Sequence, residues 1–127
     1  MKNIFEIKAW DEKNYLEISD QLKYSKASVS KTYDGLLKGN GQLEYIMSYF
    51  AADQASFVGI EHFDGVIDGR QGTLSFEHKG TFINGVVNSE FTVIDGSGTQ
   101  ELEGLNAKGR FSSGHSMTVD FEFDLLG

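Results

Sequence analysis

Residues 72–93 read GTLSFEHKGTFINGVVNSEFTV, and their pattern predicts two strands joined by a tight turn. Apolar and polar side chains alternate on both sides of Asn84-Gly85, with the period of a half-buried β-strand. Asn-Gly between two alternating runs is the strongest short-range signal of a two-residue hairpin turn. The turn sets Phe82 opposite Val87 and predicts an antiparallel pair.

The rest of the chain repeats this pattern. Glycine occurs 15 times and proline never, and the glycines separate segments rich in Val, Ile, Phe, Tyr and Thr, which favour strands. These segments predict about eight strands, at roughly 3–10, 22–35, 40–51, 55–67, 72–83, 86–95, 99–111 and 115–125. We predict that these segments form one all-β domain over residues 1–127, in which closing the sheet removes its aggregation-prone edges. It is a closed antiparallel barrel, with a β-sandwich as the alternative.

Composition limits the function classes. The net charge is −8, with 19 acidic and 11 basic residues, which argues against binding to nucleic acid or to an anionic membrane surface. Cysteine is absent, which excludes disulfides and thiolate chemistry and fits a reducing compartment. No apolar run approaches the roughly 20 residues needed to cross a bilayer, and the first residues lack the apolar segment of a signal peptide. We therefore expect a cytoplasmic protein.

Two more turns suggest which residues share a face. If the chain turns at residues 69–70 and 53–54 as well as at Asn84-Gly85, the resulting strand pairing places one set of apolar side chains on the same face. We interpret this face as the barrel interior. It consists of Ile46, Phe50, Phe57, Phe63, Leu74, Phe76, Phe82, Val87, Phe91 and Val93. Five aromatic members are candidates for lining a ligand cavity: Phe57, Phe63, Phe76, Phe82 and Phe91.

Two ionisable residues, Glu61 and His78, fall on this apolar face, and the expected register makes them direct cross-strand neighbours. A carboxylate beside an imidazole in an apolar cavity can act as an acid–base pair. A buried Glu–His pair can equally do no more than satisfy its own hydrogen bonds. A row of small residues on the same face, Ser48, Gly59, Gly80 and Ser89, leaves room for a cavity or marks sharp bends of the sheet.

The histidines do not predict a metal site. A catalytic zinc needs three protein ligands at one point. His62 and His78 fall on opposite faces, and His115 lies in the distant last strand. We expect no metal and no cofactor.

The opposite face of the third and fourth predicted strands is also apolar, and it comprises Leu43, Tyr45, Met47, Tyr49, Val58 and Ile60. Contiguous exposed apolar patches usually mark association, so we expect a homo-oligomer contact there, most simply a two-fold one. The alternative is that the N-terminal segment, with Trp10 and Tyr15, covers the patch.

Five successive segments resemble a bacterial family known as domain of unknown function 3224. They are ASVSKTYDG (27–35), GQLEYIMSY (41–49), ASFVGIEHFDG (55–65), GTLSFEHKGTF (72–82) and GSGTQELEGLNAKGRF (96–111). The resemblance covers nearly the whole chain and implies a barrel similar to that of allene oxide cyclase, a fold shared with plant dirigent proteins. It implies no activity, and the catalytic residues of the cyclase have no counterparts that can be matched position by position.

Three hypotheses for function follow. The first is a barrel that binds a small apolar molecule in its interior. The second is an isomerase- or cyclase-like enzyme in which Glu61 and His78 act as acid and base. The third is a structural or interaction protein with a solid barrel. A cavity that touches Glu61 and His78 would separate the first two from the third.

Overall fold

The computed structural model describes residues 2–114 and 116–126. They form one antiparallel sheet of nine strands in the order β8-β1-β2-β3-β4-β5-β6-β7-β9. The strands are β1 (Ile4–Glu17), β2 (Lys23–Asp34), β3 (Leu37–Ala51), β4 (Gln54–Ile67), β5 (Arg70–Ile83), β6 (Val86–Val93), β7 (Asn106–Ser113), β8 (Thr118–Asp120) and β9 (Glu122–Leu126). A short 3₁₀ helix, Gln100–Leu102, lies between β6 and β7.

The last two strands close the sheet into a barrel. β8 pairs with β1, with Ile4 opposite Asp120, while β9 pairs with β7. The residue between them, Phe121, donates its backbone N–H to the carbonyl of Asn3 at 3.0 Å. One segment therefore bridges the two edge strands, and the prediction of an all-β antiparallel barrel is confirmed in preference to the sandwich.

Three predicted strand boundaries are wrong. The first strand extends to Glu17, and Trp10 and Tyr15 lie within it rather than in a segment that folds over the barrel. The predicted strand 99–111 begins only at Asn106, because its first part forms the 3₁₀ helix. The predicted last strand 115–125 is divided at Phe121, where its partner changes from β1 to β7.

Two of the three predicted turns are shifted. The Asn84-Gly85 turn is confirmed, with both residues at positive φ. The β4–β5 turn lies at Asp68-Gly69, also with both φ values positive, one residue earlier than predicted. This moves the β4–β5 pairing by two residues and leaves every side chain on its predicted face.

The observed β3–β4 pairing differs from the predicted pairing by an odd number of residues. The interior and exterior faces of β3 are therefore the reverse of those predicted. The pairing passes from Tyr49 opposite Ala55 to Ala51 opposite Gln54, which leaves Phe50 as a bulge. Ile46 and Phe50, predicted to be interior, are therefore exposed. The predicted outer patch is wrong for four of its members, which are buried inside the barrel: Leu43, Tyr45, Met47 and Tyr49. Val58 and Ile60 do face outward.

The two ends of the barrel differ. We call the end of the barrel with the turns at 52–53 and 84–85 the upper end. The end with the turn at 68–69 is the lower end. Aromatic and aliphatic side chains fill the lower half, including Phe63, Phe76 and Phe91, and the fully buried Leu102 of the 3₁₀ helix joins them. A second apolar cluster, which includes Met47 and Phe57, lies in the upper half.

Candidate functional site

Glu61 and His78 meet inside the barrel, as the sequence predicts, but by a different pairing. Glu61 lies opposite Phe76 and His78 lies opposite Gly59, so the two are diagonal rather than direct neighbours. Long side chains bridge such a diagonal. The Nε2 atom of His78 is 2.6 Å from Oε1 of Glu61, and both side chains are completely buried.

Two residues of β2 complete the polar cluster, which consists of Lys31, Tyr33, Glu61 and His78. The hydroxyl of Tyr33 donates to Oε2 of Glu61 at 2.6 Å. The ammonium of Lys31, itself buried, lies 3.4 Å from Oε1 of Glu61. The carboxylate of Glu61 thus receives two short hydrogen bonds and one ion pair, and a buried charge needs this kind of compensation.

Burial alone would raise the pKa of Glu61. The charge of Lys31 and the hydrogen bonds from His78 and Tyr33 outweigh burial and lower this pKa to about 2. Burial lowers the pKa of His78 and of Lys31, although Glu61 opposes both shifts. The lowered pKa values of Glu61 and His78 describe an ionised carboxylate and a neutral imidazole that donates through Nε2, while the ion pair with Glu61 favours the charged form of Lys31.

Glycine at position 41 makes room for the cluster. Gly41 lies on the interior face of β3, and a Cβ atom built there would collide with the carboxylate of Glu61. It would also approach the ring of Tyr33. Nothing in the local sequence marks this glycine, because the side chain that requires it lies 20 positions away.

The upper half of the barrel contains a cavity of about 230 Å³. Most of its walls are apolar: Phe5, Ile7, Trp10, Val29, Leu43, Tyr45, Met47, Phe57, Phe82, Val87, Phe111, Met117 and Val119. Lys31 is the member of the polar cluster that lines the cavity, and its ammonium lies 4.1 Å from the centre of the Phe5 ring. Glu61 and His78 do not line it.

The five phenylalanines predicted to line a cavity separate into two groups. Phe57 and Phe82 do line it. Phe63, Phe76 and Phe91 instead belong to the packed lower half, where the ring of Phe76 contacts Phe63 at a tilt and Phe91 edge to face. The ring of Phe91 also stacks on His78 at a centroid distance of 5.0 Å.

A second polar group lies on the cavity wall. The carboxylate of Glu12 in β1 accepts hydrogen bonds from Ser25 at 2.6 Å and from Tyr49 at 2.7 Å. Burial and this carboxylate together raise the pKa of Tyr49, so the phenol is neutral. The cavity therefore has one ammonium and one carboxylate in a wall that is mostly apolar.

Sequence reasoning missed Lys31 and Tyr33, although a signal for both was present. Ala27, Val29, Lys31 and Tyr33 alternate with polar residues along β2, and all four are buried. This period of two places Lys31 on the apolar face. A lysine is so rarely buried without a partner that its place in this series pointed toward Glu61.

His62 points outward and is exposed, opposite in orientation to His78, as predicted. His115 lies outside the described residues. Across residues 2–114 and 116–126, no three His, Asp or Glu side chains gather closely enough to hold a metal ion. Over the same ranges, no helix is long and apolar enough to cross a membrane.

Comparison with known proteins identifies the family. The model of a family described as protein of unknown function (DUF3224) matches residues 1–125, and the chain belongs to this family. The chain is also similar to the crystal structure of a protein of unknown function from the DUF3224 family of Shewanella oneidensis MR-1. The two share 21% sequence identity with a TM-score of 0.71, over 98% of each chain. No curated protein matches the chain significantly.

Proposed function

We propose that this member of the DUF3224 family binds a small, mostly apolar molecule in the upper half of its barrel. The observation that carries the proposal is a cavity with apolar walls and a single buried ammonium, that of Lys31. Mouths of β-barrels are frequent ligand sites, and such sites are mainly apolar with a few polar groups that fix orientation.

The size of the cavity sets the size of the ligand. An apolar cavity of about 150 Å³ can hold benzene. The cavity of about 230 Å³ is larger, so it accommodates one ring with a short side chain. Burying such a ligand is favourable at roughly 25 cal/mol per Å² of apolar surface, before the cost of immobilising it.

Lys31 determines the preferred polar group of the ligand. Its ammonium has one ionic partner, Glu61, and apolar rings on its other sides. An ammonium has three donors, so an oxygen that accepts a hydrogen bond gains from an approach to it. Because Glu61 already compensates the charge of Lys31, a neutral acceptor such as a ketone fits better than a second carboxylate.

Binding of two matched probes tests this proposal. Butylbenzene and benzylacetone share a carbon skeleton, and benzylacetone adds one carbonyl oxygen. We expect both to shift NMR signals of cavity-lining residues, and benzylacetone to bind roughly ten- to a hundredfold more tightly, because a hydrogen bond to a charged group contributes about 1.5–3 kcal/mol. In Lys31→Met the advantage of benzylacetone should disappear.

Two adjacent substitutions provide the control. Met47 faces the cavity and Ser48 faces outward, so Met47→Trp should fill the cavity and abolish binding of both probes while Ser48→Trp leaves it intact. If neither probe shifts the signals of cavity-lining residues up to its solubility limit, the proposal is wrong. Equal binding to both tryptophan variants would place the probe elsewhere.

The enzyme hypothesis receives less support from the geometry. Glu61 and His78 are fully buried and do not line the cavity. With a pKa of about 2, Glu61 is a weak base near neutral pH. The hypothesis of a wholly solid barrel agrees with the packed lower half but leaves the upper cavity unused.

We also propose a cytoplasmic location, which the absence of cysteine favours. The closed barrel is compatible with an allene oxide cyclase-like fold, but cyclase activity would be an argument from fold alone. Fractionation of the source cells with an antibody against the protein tests the location.

A further inference from the structure

A strip of exposed apolar side chains crosses the outer face of β3 and β4. Val58 is 54% exposed, Ile60 is 58% exposed and Ile46 is 40% exposed. We call these three residues the outer strip. Single exposed apolar residues are ordinary, but Ile46 lies opposite Val58 and Ile60 lies two residues further along the same face of β4, so the three form a patch of the kind that marks association.

Charges are arranged around the outer strip in two rows. In the first row, Lys26, Ile46, Val58 and Lys79 lie side by side on β2 to β5. In the second row, Ser28, Glu44, Ile60 and Glu77 lie side by side on the same four strands. The first row is therefore positive at both ends, and the second row carries two carboxylates.

We infer that the outer strip is the contact surface for a second copy of this chain, related by a two-fold axis that runs across the strands between the two rows. Such an axis sets each row of one copy against the other row of its partner. Ile46 then faces Glu44 of the partner subunit, and the two contacts that favour association are Val58 with Ile60 of the partner subunit and Lys79 with Glu77 of the partner subunit. Both contacts occur twice, as an isologous interface requires.

The charges exclude the other simple arrangement. A two-fold axis parallel to the strands would set each row against itself, with Lys26 opposite Lys79 of the partner subunit. Like charges placed together cost several kcal/mol and suppress such pairing. Among the ion pairs of the described residues, none involves Lys26, Lys79 or Glu77, so these groups are available for contact across the axis.

The small contact area per copy predicts a dimer that dissociates on dilution. The two rows cover two outward-facing positions, about 6.7 Å apart, on four strands about 4.8 Å apart, which is roughly 260 Å² per copy. A standard stable interface buries about 800 Å² per partner. We therefore expect monomer and dimer to exchange, with a mass that depends on concentration.

Reversal of the charges tests the inference. Sedimentation equilibrium of the wild-type chain should give a dimer dissociation constant, and Glu77→Lys alone or Lys79→Glu alone should raise it about tenfold, since each places like charges together. The double variant E77K/K79E exchanges the two charges and should restore the wild-type constant. A merely structural contribution of either residue would not produce this rescue.

A matched apolar pair provides the second test. Val58→Asp should raise the dissociation constant at least tenfold, whereas Val86→Asp, at an exposed valine near the 84–85 turn, should not. Circular dichroism should show both variants folded, since both side chains face solvent in the monomer. A chain that is monomeric at every concentration, a dimer insensitive to Glu77→Lys, or a dimer disrupted equally by Val86→Asp would overturn the inference.

Discussion

Glu61 keeps a negative charge at the centre of an apolar barrel because three donors converge on its two oxygens. Tyr33 and His78 each lie 2.6 Å from an oxygen, and Lys31 lies 3.4 Å from one. Loss of any donor leaves part of a buried charge without compensation, which costs about 3–5 kcal/mol for a broken buried ion pair. The cluster thus links β2, β4 and β5 through a single carboxylate.

The lowered pKa of Glu61 predicts a loss of stability in acid. Its folded-state pKa of about 2 lies below the ordinary value of 4.5, so between these two pH values the unfolded chain binds more protons than the folded chain. The contribution is complete above pH 4.5 and disappears as the pH falls toward 2, by on the order of 3 kcal/mol in total. Urea unfolding at a series of pH values measures it.

Glu61→Gln is the reference for this measurement, because the amide does not titrate. The free energy of unfolding of the wild-type chain should fall more steeply than that of the variant as the pH decreases from 4.5. The exposed carboxylates are the same in both proteins, so the difference in slope isolates Glu61. Identical slopes would show that the carboxyl group is not paired in the folded state.

The close approach of Gly41 to Glu61 leads to a second prediction. Gly41→Ala places a methyl group against the carboxylate of Glu61, so we expect a destabilisation of about 1–3 kcal/mol, as for other overpacked sites. The signals of the His78 ring should shift in the NMR spectrum. Gly114→Ala, where a Cβ meets open space at an ordinary φ, is the control and should change the stability by less than about 0.5 kcal/mol.

The β3–β4 hairpin shows how one residue determines the orientation of a whole strand. Phe50 is skipped in the pairing, between Tyr49 opposite Ala55 and Ala51 opposite Gln54. Its removal would leave a regular two-residue hairpin with every other pair unchanged. Phe50 is 46% exposed and lies outside the buried core, so its removal leaves no hole in the core.

We therefore predict that a chain without Phe50 folds to the same barrel, with a melting temperature within a few degrees of the wild-type value. Deletion of Ile46 from the same strand should prevent folding, since residues on one side of the deletion would turn their apolar side chains outward. Thermal unfolding followed by circular dichroism measures both. If the two deletions are equally harmful, the bulge is required for the fold.

The turns also explain which parts of the element pattern were predictable. Asn84-Gly85 fits a tight turn that needs two residues at positive φ, so its position followed from residue type alone. The bulge at Phe50 has no such signature, because an aromatic residue within a strand is expected to pair with the neighbouring strand. A three-residue shift at this hairpin was enough to invert the assignment of Leu43, Tyr45, Met47 and Tyr49.

For the whole molecule, the sequence predicted closure of the sheet but not the contents of the barrel. Strand-rich segments and the danger of free edges were sufficient for a barrel. The interior position of Glu61 and His78 was predicted correctly because an error of two residues in the β4–β5 pairing leaves both on the interior face. Lys31 and Tyr33 were missed because no turn fixed the register of β2. The division into a solid lower half and a hollow upper half depends on packing between distant strands, which local patterns do not record.

The divided closing segment has a consequence for synthesis of the chain. The partner of Ile4 is Asp120, so β1 must wait for more than a hundred residues to be made before its outer edge is covered. During that interval the outer edge of β1 has no strand partner, and unpaired edges readily join those of other chains. During synthesis, the outer edge of β1 is therefore the part of the barrel most open to pairing with other chains until the closing segment is made.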